Sequence, residues 1–158
     1  MVPVRIHSLG LDENNNQPVV ILREEDGHRV VPIWIGQPEA TAILLAVQGI
    51  TPPRPLTHDL MLGIVTSTGY LVERVEITRV EEGTFYAALI LRGEERTIAV
   101  DARPSDSLAL AVRSGCPVFV AEEVMRSAGV VPEEEAEQEV EAFRDFLDQV
   151  DPEDFGNS

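Results

Sequence analysis

Three polar clusters in this sequence carry side chains that could do chemistry. The first lies in Asp101 to Arg113, DARPSDSLALAVR, where an arginine, a hydroxyl and a carboxylate (Arg103, Ser105, Asp106) stand directly before an apolar run. Pro104 ends the preceding strand, because it lacks an N–H and holds φ near about −65°. Ser105 is then expected to cap the first helical turn, with Asp106 at the positive end of the helix dipole. Such a strand-to-helix corner can present all three groups to a ligand. A well-capped helix start is the simpler reading of the same residues. The second cluster is Thr57-His58-Asp59, just after the proline-rich stretch Thr51-Pro52-Pro53-Arg54-Pro55, with Thr57 expected as a helix N-cap. The third is Glu39, in the first turn of an apolar helix, where a carboxylate is favourable for structural reasons alone.

Other chemistries are missing. All 12 basic residues are arginine, which excludes a lysine Schiff base, a lysine nucleophile and the lysine of a phosphate-binding loop. There is no HExxH, no glycine-rich phosphate loop and no CxxC pair. The single cysteine, Cys116, cannot form an internal disulfide, and its context Gly115-Cys116-Pro117-Val118 reads as a small buried residue. His7 and His28, in strand or turn context, read as structural or exposed, and Trp34 as core.

The net charge of −16 is unevenly spread: residues 121–158 hold 13 acids and 2 arginines, the other 120 residues 15 acids and 10 arginines. The excess belongs mostly to the tail, and nothing resembles the basic stripe of a protein that grips nucleic acid by its backbone. The length of 158 residues suits one domain with a real core. The absence of a long apolar run or a basic-then-apolar N-terminus leads us to expect a soluble cytoplasmic protein, without a membrane partner.

The elements that must position the polar clusters follow from periodicity and turn residues. Residues 2–11, 17–23 and 28–35 read as strands, the last two joined as a hairpin through Asp26-Gly27. Residues 38–47 form a helix with Ala40, Ile43, Leu44 and Val47 on one face, and a second helix runs from Thr57 through Leu60, Met61, Ile64 and Val65 to Gly69. Runs 70–80, 84–92 and 96–100 are β-rich. The helix that opens at Pro104 follows, then a short strand at 117–120 and a short helix at 122–128. Residues 133–150 are acidic, with Ala136, Val140, Phe143, Leu147 and Val150 forming one apolar seam suited to the domain's own surface or a partner helix.

The segments PVVILREEDGHRVVPIWIGQPEA, PRPLTHDL, TFYAALILR and DARPSDSLALAVRSGCPVFVAEEV, in this order, resemble the bifunctional nuclease family. The resemblance covers roughly residues 2–130. It implies an α+β domain over 1–131, built on a large, mostly antiparallel mixed sheet with helices packed against it and self-associated as a homo-oligomer. An acidic amphipathic C-terminal helix over 132–150 and a disordered tail over 151–158 would follow. It further implies a metal-assisted nuclease acting on RNA and DNA. His58 would be general base or acid, with Asp59 and Asp106 also catalytic. Asp59, Asp106 and Glu39 would hold a divalent metal, magnesium or manganese. Arg54, Arg103, Thr57 and Ser105 would bind phosphate. The competing expectation is a non-catalytic, self-associating module that binds a small anionic ligand or a regulatory protein partner. In that case the polar residues are consumed by internal ion pairs, with Arg103 locked to Asp59 or Asp106.

Overall fold

The computed structural model describes residues 1–132 and Arg144; the rest of the acidic segment lies outside the described residues, and with it the expected helix and tail. Two antiparallel meanders make up the sheet. Val2–Leu11 (β1), Pro18–Glu24 (β2) and Val30–Trp34 (β3) form one, and Leu71–Glu81 (β4), Thr84–Arg92 (β5) and Thr97–Ala102 (β6) the other. The short strand Val118–Val120 (β7) stitches them together. It runs antiparallel to β1, with Val4 opposite Val118, and parallel to β4, with Ile77 opposite Val120. The order is β3-β2-β1-β7-β4-β5-β6, a seven-stranded mixed sheet whose single parallel pairing is β4–β7. With the helices, this is the α+β architecture expected from the sequence.

Four helices are described: Gln37–Val47 (α1), Thr57–Ser67 (α2), Pro104–Ser114 (α3) and Glu122–Ala128 (α4). The apolar stretch after the Pro104 corner makes α3 the central one. Leu108, Ala109 and Leu110 are almost wholly removed from water among Val75, Ile77, Leu89 and Ile43. Burying each of the two leucines stabilises the fold by roughly 1.5–3 kcal/mol. α3 packs over β4 and β5, with α1 and α2 both against it, and it stops at Gly115, whose φ of 77° suits a residue without Cβ. Alternation along β4 sends Val72, Val75 and Ile77 to the core and leaves Glu73, Glu76 and Arg79 elsewhere, with bulges at 72/74 and 77/79 resetting the phase. Arg29 bridges Glu24 and Glu122 and so ties the β2–β3 hairpin to α4.

Three expectations need correction. Trp34 is not core: it is 47% exposed and its indole N–H donates to Asp12 Oδ2 at 2.9 Å. Val31 and Ile33 take the core face of β3, so the strand's alternation turns Trp34 the other way. Neither Thr57 nor Ser105 is an N-cap. The caps are Leu56 and Arg103, which makes Thr57 the first residue of α2 and Ser105 the second of α3. Along α2, Leu60 and Ile64 are exposed, while Met61 and Val65 pack inward. No helix among the described residues is long and apolar enough to cross a membrane.

Candidate active site

Each of the three 11-residue helices starts in the same way. Glu39, Asp59 and Asp106 are the third residues of α1, α2 and α3, one turn inside the N-terminus, where a carboxylate meets unpaired backbone N–H groups and the positive dipole end. The fold then brings the three starts together. Arg103, the residue before α3, donates from Nη2 to Glu39 Oε1 at 2.7 Å. It also donates to Asp106 Oδ2 from Nε at 3.0 Å and from Nη2 at 2.8 Å. The other oxygen of Asp106, Oδ1, lies 2.9 Å from His58 Nε2, the second residue of α2.

α3 grips the first turn of α2 at a second point. Asp106 and Arg113 are seven residues apart and share one face of α3, and they hold the consecutive residues His58 and Asp59. Arg113 Nε is 2.8 Å from Asp59 Oδ1, and its Nη1 donates to the Ala109 carbonyl at 2.8 Å. The second oxygen of Asp59 accepts the Leu56 N–H at 3.0 Å, which closes the start of α2. Sequence reasoning assigned Arg113 no role. The available signal was its seven-residue spacing from Asp106 on one helix.

Burial works against ionisation of Asp106, but the hydrogen bonds from His58 and Arg103 outweigh it and hold the carboxyl below its ordinary range. Asp59 has the same balance, with Arg113 and the Leu56 N–H overcoming burial. Arg103 is held above its ordinary value by Glu39 and then Asp106. An ionised Asp106 can only accept, so Nε2 of a neutral His58 carries the proton and Nδ1 has the lone pair. His58 is 7% exposed, yet Nδ1 has no hydrogen bond among the described residues. Among the described residues no sealed side-chain nitrogen or oxygen lacks a partner, so Nδ1 keeps contact with solvent. Arg54 is exposed and forms no hydrogen bond or ion pair among the described residues, and the Ser105 hydroxyl is likewise without a partner there.

The expected phosphate and metal sets therefore divide. Arg103 does lock to Asp106, one of its two expected partners, while Asp59 takes Arg113 instead. A divalent cation would have to displace the Arg103 guanidinium, which bridges Glu39 and Asp106, so the carboxylates as arranged do not fit one. Among the described residues no group of three or more metal-ligating side chains has suitable geometry. What the arrangement can do is take a proton. It holds an oriented imidazole with one nitrogen on a carboxylate and the other open, at a place toward which three helix N-termini direct positive dipole ends.

Fold and site together define an α+β domain with a histidine–aspartate pair at a junction of helix N-termini. The bifunctional nuclease domain family matches residues 20–133, and the chain belongs to that family. It is 48% identical to the uncharacterized protein Rv1829 of Mycobacterium tuberculosis, with 98% of both chains covered. It is 29% identical to bifunctional nuclease 1 of Oryza sativa subsp. japonica over 77% of this chain and 38% of the plant protein. With bifunctional nuclease 2 of the same plant the identity is 27%, over 84% and 42%. The chain thus spans under half the length of these plant relatives.

Proposed function

We propose that this chain is a phosphodiester hydrolase that cleaves RNA and DNA, with His58 as general base. The observation that carries the reading is the His58–Asp106 pair, with Nδ1 open to solvent at the helix junction. In the reaction, Nδ1 takes a proton from the water that attacks phosphorus. The imidazolium formed is stabilised by Asp106, which keeps its own charge. The scissile P–O bond breaks as the new one forms, the leaving sugar oxygen takes a proton from solvent, and the imidazolium then returns its own proton to solvent. Arg54 offers five donors to the phosphate, the Ser105 hydroxyl one more, and the helix N-termini favour the charge that builds on the equatorial oxygens. Arg103 is a positioning residue here, since Glu39 and Asp106 already hold its guanidinium. None of these steps is routed through a metal ion.

The test is hydrolysis of end-labelled single-stranded RNA and DNA, with and without magnesium or manganese, by wild type, His58→Ala and Asp106→Asn. Melting temperatures are compared first. Cleavage lost in both folded variants supports the reading. Cleavage that also needs the ion would require Arg103 to swing away from Asp106. Equal cleavage by all three proteins, or none by any, sinks it. The second reading, a non-catalytic module that binds a small anion, is favoured by one observation. Arg103 and Arg113 are spent on internal carboxylates, whereas Arg54, exposed four residues before His58 in the chain, has no ion pair among the described residues. In that case inorganic phosphate binds wild type and fails to bind Arg54→Ala, with no hydrolysis by either.

A further inference from the structure

The sheet has two edges, and the chain treats them differently. On β3, Val30 exchanges both backbone hydrogen bonds with Val130 at 2.8 Å each. That turns the N–H and C=O of Val30, Pro32 and Trp34 outward. Val30 is thereby paired, and Pro32 has no N–H to offer, so this edge is closed to another strand. On β6, the Arg96 carbonyl accepts the Gly93 N–H at 2.8 Å, which points alternate residues at β5 and leaves Thr97, Ala99 and Asp101 facing outward. None of these three has a backbone partner on that side among the described residues. The strand contains no proline, no bulge and one charge, and four of its six residues are exposed. Val100, on the helix-covered face opposite Leu89, is 39% exposed, so the core rim is open along this edge.

We propose that β6 pairs antiparallel with β6 of a second copy of this chain. Outward residues must face outward residues, and a two-fold axis at Ala99 achieves this. Thr97 then lies opposite the partner's Asp101, and Ile98 opposite the partner's Val100, which covers the exposed valine with a β-branched neighbour. Two chains of charge −16 need a contact with few acids. Here the two Asp101 side chains stand about 14 Å apart along the strands, beyond the screening length of about 8 Å in physiological salt. Facing residues share a sheet face, so both helix layers lie on the same side of a continuous 14-stranded sheet (twice the seven of one chain). The two Arg103 corners, four residues from the axis, are separated by about 27 Å.

The full-length chain is tested by sedimentation velocity beside Ala99→Pro, Val100→Lys and Leu60→Glu. Ala99→Pro removes an outward N–H that β5 does not use, as Pro32 does on the other edge. Val100→Lys charges the covered rim, and Leu60→Glu charges the exposed apolar side of α2. Wild type and Leu60→Glu are expected at twice the chain mass of 17.4 kDa, and the two β6 variants at 17.4 kDa with unchanged circular dichroism. The amides of Thr97, Ala99 and Asp101 should be protected from exchange in wild type and lose that protection in Val100→Lys. A monomeric wild type, a mass other than twice the chain, or persistence of the dimer in Val100→Lys overturns the proposal. So does dissociation by Leu60→Glu alone.

Discussion

Asp59 and Asp106 begin from the same place, the third position of an 11-residue helix, and end with opposite duties. Asp59 spends one oxygen on the backbone N–H that starts its own helix and the other on Arg113, whose side chain is only 9% exposed. It closes a helix and neutralises a buried cation. Asp106 spends neither oxygen on its own backbone. One goes to His58, brought in from α2, and the other to Arg103, the N-cap of its own helix. A first-turn carboxylate is thus structural or functional according to what the tertiary structure sets before its two oxygens, and the helix dipole satisfies either use.

The contrast can be broken by exchanging those duties. Asp106→Asn, which cannot stabilise the imidazolium, is expected to lower kcat for RNA cleavage by about 10²–10⁴, the usual worth of acid–base assistance. The melting temperature should also fall somewhat, because the carboxylate holds Arg103 and His58 in the folded chain, and a folded variant that is equally active would remove Asp106 from the chemistry. Asp59→Ala should do the reverse. It leaves Arg113 unpaired and is expected to cost about 3 kcal/mol of stability by urea unfolding, the lower end for a broken buried pair. Activity per folded molecule should fall much less than in Asp106→Asn.

Arg54→Ala sharpens the comparison from the substrate side. No internal carboxylate is left unpaired by its loss, so stability should not change. KM for a labelled oligonucleotide should rise about tenfold with little change in kcat, as expected when one charge-assisted contact of about 1.5 kcal/mol, the lower end of the usual range, is lost. An unchanged KM would take phosphate binding away from this arginine. The smallest effect is in acid. Both aspartates are held below their ordinary values in the folded chain, so each contributes stability that is complete above the unfolded value of about 3.9 and is lost as pH falls through the folded one. Unfolding free energy measured from about pH 5 down to pH 2 should therefore drop less steeply in Asp59→Asn than in wild type. A parallel pair of curves would show that the Arg113 contact does not set this limb.

Much of this was legible in the chain itself. Thr84–Arg92 and Glu122–Ala128 have the boundaries their alternation and flanking glycines suggest, and Pro104 opens α3 where its missing N–H demands. Apart from Arg113, the polar residues that meet at the site are singled out by their types and corners. Failures occurred where one face had to be chosen over another. Trp34 looked like core by composition, but its partners Val31 and Ile33 had already claimed that side of β3. Ser105 and Thr57 looked like caps by residue type, yet Leu56 takes the cap position of α2 because the Asp59 carboxylate reaches back to its N–H.

By itself the sequence determined which segments become strands and helices, where carboxylates enter first turns, and that no lysine takes part, because these depend on neighbours a few residues apart. Only the tertiary structure decided which cation meets which oxygen. His58 and Asp106 are 48 residues apart in the chain, Asp59 and Arg113 are 54, and Glu39 and Arg103 are 64. Contacts over such separations depend on how α1, α2 and α3 are stacked. No local pattern distinguishes an aspartate that will meet a buried arginine from one that will meet a histidine. The stacking does so, because a partly buried carboxylate stays ionised only where a donor is brought within hydrogen-bonding distance.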